Sequence, residues 1–149
     1  MKKNIVILAS ILFMAACATT AQLTSEEQVY LDSIQNETNK VVIVKADIAD
    51  AWGRANSYVA KNSSMKIQTA NDHLIDTYNP TNDNSAYSIT YGYRVTKTPV
   101  DGGYEVEITC LRNASGYGGL AKNQCPRNEK IFSNYLRTGK LPYPNLIAK

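Results

Sequence analysis

"AYSITYGYRVT" at residues 86–96 and "YEVEITCLR" at residues 104–112 decide the fold. In the first, Tyr87, Ile89, Tyr91, Tyr93 and Val95 alternate with Ser88, Thr90, Gly92, Arg94 and Thr96. In the second, Tyr104, Val106, Ile108 and Cys110 alternate with Glu105, Glu107 and Thr109. A period of two with one polar side is the pattern of an antiparallel strand that has one wet face. The intervening "KTPVDGG" (97–103) is rich in turn formers, so the two runs predict a hairpin.

Working outward, "MKIQTANDHLIDTYNP" (65–80) predicts two more strands joined around Asn71-Asp72, followed by a polar loop at 81–85. Upstream, "DIADAWGRANSYVAKN" (47–62) places Ile48, Ala51, Trp52, Ala55 and Val59 on one helical stripe, with Asp47 as the expected cap and Asn62-Ser63-Ser64 as the end. "KVVIVKA" (40–46) is a β-branched run that reads as a buried strand. "TSEEQVYLDSIQNE" (24–37) opens with Thr24 and has Glu27 three residues on, the spacing of a capping box, ahead of a thin apolar face of Val29, Tyr30 and Ile34. After the hairpin, "NASGYGGLAKNQ" (113–124) is a glycine-rich loop expected to be mobile. "NEKIFSNYLRTG" (128–139) predicts a helix capped by Asn128, with an Ile131/Phe132/Tyr135/Leu136 stripe and a stop at Gly139. "KLPYPNLIAK" reads as an extended tail.

The order is helix, strand, helix, four strands, helix. That order implies an α+β domain over residues 24–149, with an antiparallel sheet of about four to five strands packed by helices on one face. The Trp52 helix is expected to lie across the inward tyrosines.

At the other end, Lys2 and Lys3 precede an apolar run from Ile5 to Ala16. A bilayer span needs about 20 residues, so the run is too short to cross and has the length of a secretory leader. Met14-Ala15-Ala16-Cys17 resembles a bacterial lipobox, with Met14 where that family usually has Leu. The resemblance implies removal of residues 1–16, acylation of Cys17, a lipidated tether over 17–23 and a Gram-negative outer-membrane address facing the periplasm, since Ala18 is not the retaining Asp. The alternative is a plain signal peptide with an incidental cysteine.

Removing Lys2 and Lys3 with the leader would leave 14 basic side chains against 13 acidic ones. That balance gives no electrostatic case for nucleic acid. Cys110 and Cys125 would then remain in an exported chain, where a pair usually bridges. The loop between them is of the size for which a bridge is worth roughly 3 kcal/mol. Their C-x14-C spacing fits neither a CxxC redox motif nor zinc ligation with a single histidine.

The Trp52 helix, "AYSITYGYRV" and "GYEVEITC" together are similar to the helix-grip repeats of BamC-like outer-membrane lipoproteins. That family carries two such units, whereas this chain has room for one. The resemblance implies a periplasmic accessory domain without catalysis and without cofactors.

His73 is the sole histidine, so any Ser–His–acid or Cys–His arrangement must use it. On a strand it would share a face with Ile75 and Thr77. Asp72 with Asp76, and Glu105 with Glu107, form carboxylate pairs whose simplest role is a solvated strand face. "SGYGGLAK" (115–122) lacks the end of a phosphate-binding loop. Ten tyrosines against two phenylalanines mark a tyrosine row through Tyr87, Tyr91, Tyr93 and Tyr104 that reads equally as core filler or as an aromatic groove, whereas loop 113–124 is the first choice for a contact site. Tyr117 in the glycine-rich loop and Tyr143 between two prolines are the candidates for a partner surface. Three functions follow as expectations. The first is a lipid-anchored, non-catalytic protein contacting an envelope protein or peptidoglycan. The second is a periplasmic inhibitor of a host hydrolase such as lysozyme, acting through loop 113–124. The third is an enzyme built on His73.

Overall fold

A computed structural model describes residues 22–80, 89–113 and 123–148. The leader, Cys17, Tyr87, Tyr117 and most of the glycine-rich loop lie outside the described residues. Along the chain come α1 (Ser25–Ser33), β1 (Lys40–Val44), α2 (Ile48–Asn62), β2 (Ile67–Ala70), β3 (Leu74–Thr77), β4 (Tyr91–Val100), β5 (Gly103–Arg112), α3 (Cys125–Thr138) and a short 3-10 turn (Pro144–Leu146). The strands form one antiparallel sheet in the order β1-β5-β4-β3-β2. The expected α+β architecture, with helices against a five-stranded antiparallel sheet, is what the chain adopts.

The hairpin is longer than its alternation suggests. β4 and β5 pair from Tyr91–Arg112 to Val100–Gly103, so the turn is only Asp101-Gly102, with Gly102 at φ 77°. An Asp-Gly pair is a strong two-residue hairpin signal, and Gly102 takes the positive φ such a turn needs at its second position. Residues 97–100, expected in the turn, are strand. Pro99 is tolerated because its missing N–H falls beyond the reach of β3, whose pairing with β4 ends at Thr96.

Burial follows the pleat. Tyr93, Val95, Val106 and Ile108 point inward, and Ala51, Ala55, Tyr58 and Val59 of α2 meet them together with Ile131, Phe132 and Leu136 of α3. The residue at the centre is Tyr58. Its ring stacks on Phe132 at 3.8 Å between centroids and meets Tyr93 edge-on at 5.8 Å. Trp52 was expected over the tyrosine row but lies at the rim, where its Nε1–H donates to the Asn71 carbonyl at 2.9 Å and its ring faces Lys97 Nζ at 4.8 Å.

The caps divide. Thr24 and Glu27 form the expected box: Thr24 Oγ1 accepts from the Glu27 N–H at 3.2 Å, and the Thr24 N–H donates to Glu27 Oε2 at 2.8 Å. Val29 does not join the α1 face and is exposed, while Ile34 is buried. Asp47 holds the N-cap position of α2 without a side-chain bond. Gly139 stops α3 at φ 71°, as expected. Asn128 is not a cap, because Pro126 lets the helix start at Cys125 and carries Asn128 inside.

Fully buried, Asn128 donates from Nδ2 to the Tyr93 hydroxyl at 3.2 Å and to the Ala148 carbonyl at 3.0 Å. Its Oδ1 accepts the Ala148 N–H at 3.1 Å. The expected extended tail therefore docks, and Leu146 and Ile147 join the core. Asn128→Ala should cost about 2 kcal/mol, since it strands buried polar groups. Urea denaturation would measure that loss, and amide exchange should accelerate at Ile147 and Ala148 more than at Tyr93.

Candidate functional site

The expected aromatic groove is filled. Tyr91 and Tyr93 are 2% and 0% exposed, and Tyr58 and Phe132 fill the space over Tyr93 between helix and sheet. Burial pushes the Tyr58 and Tyr93 hydroxyls well above the ordinary tyrosine range, so both rings remain neutral. Tyr143 is half-buried against Tyr30, with centroids 5.4 Å apart, and holds the tail to α1.

Nor do the candidate catalytic groups converge. His73 sits in the exposed turn between β2 and β3, not on a strand, and its backbone N–H donates to Asn71 Oδ1 at 2.8 Å. Asp72 occupies the same turn, so it shares no strand face with Asp76. Asp76 pairs with Arg94 at 2.9 Å. Glu105 and Glu107 both face Lys40, at 3.0 and 3.6 Å. Among the described residues, no cluster of His, Cys, Asp or Glu could hold a metal.

Cys110 and Cys125 are bonded, tying β5 to the first residue of α3. Beside the bridge, Glu129 Oε1 accepts the Cys110 N–H at 2.8 Å. Burial raises the Glu129 carboxyl above its ordinary range against the pull of that bond.

The sheet has two edges, β1 and β2, and the outer edge of β1 carries unsatisfied backbone groups. The Asn39 carbonyl accepts from the Ile108 N–H, and the Lys45 N–H donates to the Gly102 carbonyl. By antiparallel alternation, residues 39, 41, 43 and 45 turn their backbone groups to β5, and Val42 and Val44 turn theirs outward. The ends of that edge are closed. Thr38 Oγ1 bonds both the N–H and the carbonyl of Lys40, and the Asp47 N–H donates to the Val44 carbonyl. What remains is the N–H and carbonyl of Val42 and the N–H of Val44.

The side chains of Val42 and Val44 are 62% and 56% exposed. A groove of about 340 Å³ runs beside them, with Asp47, Asp50, Arg54 and Arg137 among its walls. Arg54 donates to the Leu136 carbonyl at 2.7 Å, and Arg137 pairs with Glu37. Asp47 and Asp50 are exposed at the start of α2 and have no ion pair or side-chain hydrogen bond among the described residues.

Sequence reading did not find this edge. An unbroken β-branched run hides its own parity, so "VVIV" reads as buried on both sides. The available signal was Lys40 and Lys45 bracketing a five-residue strand, a common device for blunting an exposed edge. No known family model, no curated protein and no solved structure matches this chain.

Proposed function

We propose that this chain is a small lipid-anchored protein of the bacterial outer membrane, facing the periplasm, with a non-catalytic binding or structural role toward another envelope protein or the cell wall. The observation that carries the reading is Met14-Ala15-Ala16-Cys17 at the end of a short apolar run behind two lysines. The Cys110–Cys125 bridge supports it, because such bonds persist in oxidising compartments. Among the described residues, no helix is long and apolar enough to cross a membrane, so in this reading the hold on the bilayer comes from lipid. Each buried methylene contributes about 0.8 kcal/mol, and two or three acyl chains on one cysteine make release negligible. The resemblance to BamC-like domains agrees with an accessory role. His73, exposed in the turn between β2 and β3, gives the enzymatic alternative no support.

Intact-mass analysis of the native product tests this. The expected mass begins at Cys17 and carries acyl chains. Cys17→Ser is expected to leave an unlipidated precursor that no longer sediments as the native form does. A native product with a free Cys17 thiol, or one that retains residues 1–16, would overturn the reading.

A further inference from the structure

We propose that the open edge of β1 takes up an extended peptide segment of a partner protein as an added strand, with a basic side chain of that segment lying over Asp47 and Asp50. This names the contact surface of the binding role above and rests on that reading.

Three observations converge. The first is the backbone inventory at the edge. Val42 presents a donor and an acceptor, Val44 presents a donor, and the flanking groups of Lys40 and Val44 are already bonded internally. An antiparallel strand centred opposite Val42 would close a two-bond pair there and add a third bond at Val44. The second is space. The groove of about 340 Å³ lies along this edge, so a strand entering there meets a recess and not a wall.

The third is charge. Arg137 is paired with Glu37, while Arg54 bonds the Leu136 carbonyl and forms no ion pair, so among the described wall residues two carboxylates, Asp47 and Asp50, stand against one unpaired guanidinium and the balance is acidic. A cation on the incoming segment complements these carboxylates. Val42 and Val44, exposed on the sheet face, offer cross-strand contact to apolar residues at alternate positions of the same segment. The opposite edge, β2, has a larger groove beside Gln68 and Tyr78, about 720 Å³, but no carboxylate among the described residues lines it. Its pairing with β3 is irregular between Ile67 and Thr69, and such a break disrupts a regular template.

The test uses the native product purified in detergent and two capped heptapeptides, one alternating valine with lysine and one alternating valine with glutamate. The lysine peptide is expected to shift the amide signals of Val42 and Val44, and the glutamate peptide to bind about tenfold more weakly. Asp47→Asn with Asp50→Asn should bring the two peptides together in affinity. Val42→Pro should abolish binding while preserving the fold, because the N–H it removes faces the edge and proline is accepted on edge strands. A lysine peptide N-methylated at its central residue, tested on the unaltered protein, should likewise fail to bind.

Three results would overturn the proposal. One is no shift at β1 at millimolar peptide. Another is equal binding of both peptides. The third is concentration-dependent self-association that Val42→Pro removes, which would assign the edge to a second copy. The β1 amides report on peptide uptake and the mass at Cys17 on anchoring, so failure of either is distinguishable from failure of the other.

Discussion

Tyr58→Ala is expected to destabilise the domain by about 3–5 kcal/mol, the range for deleting a fully buried aromatic ring. Tyr58 is 1% exposed and joins three elements of the core: its own helix, Phe132 of α3 at 3.8 Å, and Tyr93 of β4 at 5.8 Å. The rings around it are held by their own backbones and cannot collapse into the space left behind. Tyr58→Phe separates packing from polarity. The Tyr58 hydroxyl lies near that of Tyr93 yet has no partner in hydrogen-bond geometry, so its removal should cost less than about 1 kcal/mol or stabilise the fold. Urea midpoints for the two variants check both values. A loss for Tyr58→Phe equal to that for Tyr58→Ala would mean that the hydroxyl, and not the ring, holds α2 to the sheet.

Loss of the Cys110–Cys125 bridge is expected to cost about 3 kcal/mol, by releasing a loop whose ends are 15 residues apart in sequence. For a domain of this size that is a fall of roughly 10 °C in melting temperature. Thermal denaturation of Cys110→Ser with Cys125→Ser, and of the unaltered protein with and without reductant, checks it. The double variant should be indifferent to reductant. The weakening should centre on the start of α3, where Cys125 opens the helix and Glu129 holds the Cys110 N–H. An unchanged melting temperature with the bridge reduced would show that core packing and the Asn128 bonds hold α3 without it.

Alternation made β4 and β5 legible, because only one face of them is wet and the pattern therefore declares itself residue by residue. The order of elements, the Thr24–Glu27 box, the Gly139 stop and the cysteine pairing were legible for similarly local reasons. Tyr58 was not, since Trp52 and Tyr58 both fall on the apolar side of α2, and only the end of the helix that overlies the sheet decides between them. Asn128 looked like a cap because it precedes a helical stripe. Its role depends on Pro126 starting the helix three residues earlier and on a tail arriving from 20 residues away. That tail resembled an extended segment, since prolines punctuate it, and nothing local announces that Leu146 and Ile147 will be buried. The β1 edge was hidden for the opposite reason: a run with no polar residue carries no record of which side faces water.

Glu27 of α1 accepts from the Asn145 side chain, and Tyr30 packs on Tyr143. The opening helix is thus fastened to the closing segment and, through the Asn134 side chain at the Tyr30 hydroxyl, to α3, and Asn128 ties the end of that segment to α3 at Ala148. Mechanical load applied ahead of Thr24 would consequently pass through these peripheral ties first. They would yield as a fuse, peeling away while the disulfide-braced hairpin and the β1 edge beside it stayed intact.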